Sequence, residues 1–151
     1  MSTSPAASTR GRKTATRRVL TLDDAVDTIF AAVRSAEAGE TYIPKCPSAK
    51  MTDLATYLIG DRDIETVITG IRPGEKVHEI LLSEEEATRT IAGHEGYFAM
   101  RPMLPELAGP VAQPALVGDY SSEHALMAPA ELALFLEEKI SNVVGQNYLE
   151  A

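Results

Sequence analysis

The sequence has no tryptophan, one cysteine, three phenylalanines and five tyrosines in 151 residues. Any core must therefore be mainly aliphatic. The lone cysteine, Cys46, excludes an internal disulfide and fits a reducing compartment. No apolar run approaches the ~20 residues that a membrane-spanning helix needs. The basic N-terminal residues have no hydrophobic segment behind them, which is not the pattern of a secretory signal. Positive charge is scarce as well: 14 Lys and Arg against 22 Asp and Glu leave a formal charge of −8, which argues against nucleic acid or an anionic membrane as the main partner. A cytoplasmic protein is expected. His78, His94 and His124 lie apart in no metal-ligand spacing and are read as surface or packing histidines. Asp61-Arg62-Asp63 has the spacing of a metal-binding DxD, but it falls in a polar turn with no supporting pattern. No metal site is expected.

With 44% hydrophobic residues, one domain with a modest core is possible. Residues 1–15 are rich in Ser, Thr and Ala with scattered basic side chains and little to bury, and are expected to be a disordered basic tail. Thr21 caps a helix carrying Asp23 and Asp24 in its first turn, followed by Leu22, Val26, Ile29, Phe30 and Val33 at helical spacing and ended by Gly39. Glu40–Lys45 reads as a short strand, at an edge because Pro44 removes a ladder donor. Cys46-Pro47-Ser48 reads as a turn. A second helix spans about Thr52–Leu58, with Leu54, Ala55 and Leu58 inward, and Glu65–Thr69 reads as a second strand. Ser83 caps the acidic run Glu84-Glu85-Glu86, Tyr97–Met100 is a strand, and residues 101–118 are proline-interrupted and irregular. Asp119–Ser122 reads as a turn. Pro129 opens a last helix with Leu132, Phe135, Leu136 and Ile140 at helical spacing, and residues 143–151 are expected to fray.

The most informative stretch runs from Gly70 to Leu82. Pro73 and Gly74 make a turn, and a helix is expected from about Glu75, with Val77, Leu81 and Leu82 along one side. A helix start there would present free backbone N–H groups to an anion. Arg72 suits a phosphate or pyrophosphate, because its planar fork donates two parallel hydrogen bonds. Glu75 suits ribose or sugar hydroxyls. The plainer reading has Glu75 complementing a helix dipole and Arg72 on the surface.

Arg72-Pro73-Gly74-Glu75-Lys76-Val77-His78-Glu79 resembles the RPGEK(L/V)HE signature of bacterial polysaccharide-biosynthesis enzymes, extended short-chain dehydrogenases acting on UDP-linked sugars. They include UDP-N-acetylglucosamine 4,6-dehydratases and capsular UDP-sugar 4-epimerases. Thr16-Arg17-Arg18-Val19-Leu20-Thr21-Leu22-Asp23-Asp24-Ala25-Val26 is similar to their TRFxxTLxxAV segment, with Arg18 and Val19 replacing the usual aromatics. Tyr42–Ala55 resembles (F/Y)(V/I)PKxPSxKMTDLA, and Ser83–Ala87 and Tyr120–Ser122 follow in the family's order. The likeness runs from about Thr16 to Ile140.

What the resemblance implies is a small mixed α/β substrate-binding lobe over residues 16–142, without the Rossmann nucleotide-binding half. Arg72 and Glu75 match positions that contact the UDP-sugar in complete enzymes. A complete enzyme also needs a glycine-rich phosphate turn for NAD(P) and a Tyr-x-x-x-Lys pair for proton exchange. Neither occurs in these residues, so no catalytic or cofactor-binding residue is assigned. The expectation is a UDP-sugar-binding lobe not catalytic alone, with weak affinity for want of one wall of the site. The alternatives are a non-enzymatic nucleotide-sugar-binding or regulatory module and a truncated gene product without function. In the family the first helix and the strand near Thr41–Lys45 pack on the dinucleotide-binding sheet, so Ile29, Phe30 and Ile43 are expected to be exposed unless they re-pack. Self-association, or pairing with a separate NAD(P)-binding dehydratase-like subunit, follows from that.

Overall fold

The computed structural model describes residues 14–147 apart from 69, 95 and 110–112. The expected basic tail lies outside the described residues through position 13. Ala15 is tied down, its carbonyl accepting from Met51 N–H at 3.0 Å.

Among the described residues, four helices and seven short strands alternate as β1 (Thr16–Arg18), α1 (Leu22–Ser35), β2 (Thr41–Pro44), β3 (Ser48–Lys50), α2 (Met51–Ile59), β4 (Ile80–Leu82), α3 (Glu84–Ala87), β5 (Thr90–Ala92), β6 (Tyr97–Met100), β7 (Tyr120–Ser121) and α4 (Pro129–Asn147). The strands form three small antiparallel sheets, β1-β3, β2-β6-β5 and β4-β7. This is the small mixed α/β lobe that the sequence implies. β2 lies at an edge, and Pro44 at its end faces Tyr97, as its missing N–H requires.

Local signals place the helix starts. At α1, Asp24 N–H donates to the Thr21 hydroxyl and Thr21 N–H donates to the Asp24 carboxylate, both at 3.1 Å, a reciprocal capping box. The Thr21 hydroxyl bond, more than the nearby Lys139 charge, holds the Asp24 carboxyl below its ordinary range. Ser83 and Glu86 repeat the arrangement at α3. Pro129 opens α4, which continues to Asn147, past the point where fraying is expected; residues 148–151 lie outside the described residues. Arg62 of the Asp61-Arg62-Asp63 turn donates its Nε to the Ile59 carbonyl at 2.9 Å and another nitrogen to Leu58, closing the end of α2.

The core is small. Ile43, Leu82, Phe98 and Tyr120 are buried together, with Met100 and Leu116 packed against them. Phe98 and Tyr120 meet edge to face at 5.2 Å between centroids. Ile43, expected to be stranded at the surface, is buried because β2 pairs with β6 and brings it opposite Phe98. Ile29 and Phe30 stay out, 63% and 50% exposed. Helix α1 turns its small residues, Ala25, Thr28, Ala31 and Ala32, toward the body. Its stripe of Leu22, Val26, Ile29, Phe30 and Val33 points to solvent. Leu58 of α2 is likewise exposed rather than inward, while Leu54 and Ala55 are half-buried.

Several expected elements are replaced. Residues 65–68 form no strand, and 69 lies outside the described residues. No helix starts at Glu75: the chain turns at Pro73-Gly74, bends at Val77-His78 and enters β4 at Ile80. The reason is tertiary. Thr16 N–H donates to the Val77 carbonyl at 2.9 Å and β7 pairs with β4, which satisfies the backbone groups a helix would have paired internally. The expected turns at Cys46–Ser48 and Asp119–Ser122 give part of their residues to β3 and β7, whose Ser48, Tyr120 and Ser121 are buried.

Candidate functional site

The Arg72–Glu75 segment is a tight turn closed twice. Glu75 N–H donates to the Arg72 carbonyl and Arg72 N–H donates to Glu75 Oε2, each at 3.0 Å. Gly74 sits at φ +87°, a conformation that a side chain rarely adopts. One carboxylate oxygen of Glu75 is thus engaged in the turn itself. With no helix behind it, the turn has no array of free helical N–H groups, and the anion-binding argument from a helix start does not apply. What remains for an anion is side-chain charge.

The chain leaving the turn is held by β1. Besides the Thr16 N–H bond to Val77, the Thr16 hydroxyl lies 2.8 Å from His78 Nδ1 and 2.6 Å from the Ser122 hydroxyl, which accepts from Glu79 N–H at 2.9 Å. His78 Nε2 faces the Glu123 carboxylate at 3.8 Å. Ser122 and Thr16 are both buried, so this cluster anchors the segment and offers no exposed nucleophile. Arg17 adds a clamp. Its Nη1 donates to the carbonyls of Thr16 at 2.8 Å and Lys76 at 3.2 Å, and its Nε pairs with Glu79 at 3.4 Å.

Beside the turn runs a groove of about 430 Å³ whose lining includes Arg17, Met51, Ile68, Ile71, Glu75 and Lys76. Glu75 faces it. Arg72 is exposed and does not line it. Hence the two residues singled out by motif share one turn but face different surroundings. Sequence spacing did not point to Arg17 or Lys76. Lys76 adjoins the motif, but Arg17 reaches the groove only because β1 packs against residues 76–79, a juxtaposition without a local signal.

Among the described residues, no three His, Cys, Asp or Glu side chains come together as a metal cluster, and no helix is long and apolar enough to cross a membrane. None of the described strands leads through a glycine-rich turn into a helix.

Comparison with known proteins gives this geometry a context. The chain is 38% identical over 89 residues to the UDP-N-acetylglucosamine 4,6-dehydratase (inverting) of Campylobacter jejuni serotype O:2, covering 59% of this chain and 26% of that protein. It is 37% identical over 89 residues to the enzyme of the same name from serotype O:23/36, with the same shares. The chain thus spans about a quarter of the length of these curated relatives. The X-ray structure of Pen from Bacillus thuringiensis superposes with a TM-score of 0.68 at 26% identity, covering 84% of this chain and 39% of that one. A family match across residues 9–102, which takes in β1 to β6 with the Arg72–Glu75 turn between them, completes the assignment: the chain belongs to the polysaccharide biosynthesis protein family.

Proposed function

We propose that the chain is a nucleotide-sugar-binding lobe of bacterial cell-surface polysaccharide biosynthesis, working in the cytoplasm on a UDP-sugar. The observation that carries this reading is the likeness to two enzymes named for UDP-N-acetylglucosamine, taken with the family match over residues 9–102, a stretch that holds Arg72 and Glu75. Arg72 is assigned to the diphosphate and Glu75 to hydroxyls. Supporting the division, Arg72 stands in no ion pair among the described residues, and one oxygen of Glu75 is left over after the turn is closed. The relatives' names favour 4,6-dehydratase over 4-epimerase ancestry. Chemistry is assigned to an NAD(P)-binding partner, since the lobe itself offers neither the phosphate turn nor the Tyr-x-x-x-Lys pair.

Calorimetry with UDP-N-acetylglucosamine tests the reading. Wild type is expected to bind weakly but saturably, and Arg72→Ala to weaken binding by about 10- to 100-fold, the worth of a charge-assisted pair. No heat of binding up to millimolar ligand defeats it.

The outward stripe of α1 supports a partner. Five large apolar side chains on one face of a helix form a patch that proteins ordinarily cover. Sedimentation is expected to show concentration-dependent association, lost when Ile29 and Phe30 are both changed to Lys, or a complex when a dehydratase-like NAD(P)-binding subunit is added. A monomer under both conditions, with a cooperative melt, rules the association out.

A further inference from the structure

Helix α1 carries its apolar stripe from Leu22, 81% exposed, to Val33, 78% exposed, with Val26, Ile29 and Phe30 between them. Charge borders that stripe on one side only. At about 100° per residue, Asp23, Arg34 and Asp27 follow Phe30 around the helix, while Ala25 and Ala32 form the opposite border and face the body. Both acids lie in the N-terminal half of the helix and Arg34 in its last turn. All three are exposed and stand in no ion pair among the described residues. Arg34 rests beside the stripe, its Cζ 5.6 Å from the centre of the Phe30 ring. An open groove of about 440 Å³, lined by Asp27, Phe30, Arg34, His94 and Tyr97, runs along the charged border and keeps the body clear of it.

This face is complementary to itself. Two copies of α1 packed antiparallel about a two-fold axis turn the same border of each helix toward the other. An axis at the middle of Leu22–Ser35 sets Asp23 of one copy level with Arg34 of the second, once at each end, and lets Val26 of one fall between Phe30 and Val33 of the other. Antiparallel helices also oppose their dipoles favourably. Parallel packing would set the charged border against Ala25 and Ala32 and leave every charge unpaired.

We infer that the partner covering the α1 stripe is a second copy of this chain, held by antiparallel α1–α1 packing and by two Asp23–Arg34 ion pairs across the two-fold axis. The inference rests on the association proposed above, commits it to one partner, and is independent of nucleotide-sugar binding.

Sedimentation equilibrium of the whole chain over about 1 μM to 1 mM tests it. Wild type is expected to dimerise. Asp23→Arg and Arg34→Asp are each expected to weaken the dimer by about 5- to 20-fold, because either reversal sets like charges face to face twice. Mixing the two variants is expected to restore near wild-type affinity, as is D23R/R34D in one chain. Both positions are exposed, so the variants are expected to melt like wild type. Unspecific apolar contact or parallel packing gives no recovery on mixing, and that result overturns the inference, as do reversals without effect. If wild type stays monomeric but binds a dehydratase-like NAD(P)-binding subunit, the inference fails and the proposed association stands. If it does neither, both fail.

Discussion

Leu82→Ala is expected to destabilise the lobe by about 2–5 kcal/mol, the range for removing a fully buried leucine and leaving a cavity. Leu82 is 1% exposed and packs in a core whose other buried members are Ile43, Phe98 and Tyr120. So few residues share the burial that the loss is a large part of the ~5–15 kcal/mol holding a typical domain. The neighbouring Leu81 is the control. Leu81 is the extra residue between the Ile80–Ser121 and Leu82–Tyr120 pairs of β4 and is 37% exposed, so Leu81→Ala is expected to stay within about 0.5 kcal/mol. A helix across this stretch would have placed both leucines on one side and made the two substitutions comparably costly. Urea unfolding midpoints at constant slope measure the difference. Equal losses at the two positions would contradict the strand.

Arg18→Met is expected to cost about 2–4 kcal/mol, because it strands acceptors that only a guanidinium satisfies together. Arg18 Nη1 donates to the Cys46 carbonyl at 2.6 Å and to the Tyr120 hydroxyl at 2.7 Å, and Nη2 donates to the Ser121 carbonyl at 2.5 Å. Its carbon Cζ also lies 3.8 Å from the centre of the Tyr120 ring. Burial pushes the Tyr120 phenol and the Cys46 thiol up, with the Arg18 charge opposing in both cases. Methionine keeps an apolar stem against the ring but donates nothing. Lysine restores the charge without the fork and is expected to recover only part of the loss. Phenylalanine, the residue type of the family's TRF segment, is expected to fare no better than methionine. Here the three acceptors have adapted to a donor. Thermal or urea unfolding of the three variants checks the order, and a stable Arg18→Phe would refute it.

These two sites also mark where reading the chain locally succeeds and fails. The capping boxes at Thr21–Asp24 and Ser83–Glu86 and the proline opening α4 are interactions within four residues, so type and spacing suffice to find them. Val77, Leu81 and Leu82 are compatible with a helix face, while Ile80 and Leu82 are equally compatible with one face of a strand. Short apolar runs carry both periods. What decides between them is the pairing of Ile80 with Ser121 and of Leu82 with Tyr120, some forty residues further on. The Val67-Ile68 run failed as a strand because no described strand pairs with it, leaving both side chains exposed beside the groove. Arg72 and Glu75 were legible because a turn motif is contiguous. Arg17 was not, because its relation to that turn exists only across the β1 contact.

By itself, then, the amino-acid sequence determined the family, the mixed α/β character, the starts of α1, α3 and α4 and the Arg72–Glu75 turn, all of which are written in short contiguous patterns. Only the tertiary structure decided that the residues after the turn enter β4 and no helix, that Ile43 is buried opposite Phe98, and that Arg17 and Glu75 share a groove. Those outcomes depend on which distant backbone groups find each other. A hydrogen bond between Thr16 and Val77 removes the helix at Glu75 and brings Arg17 to the turn in the same step. No pattern within either segment encodes it.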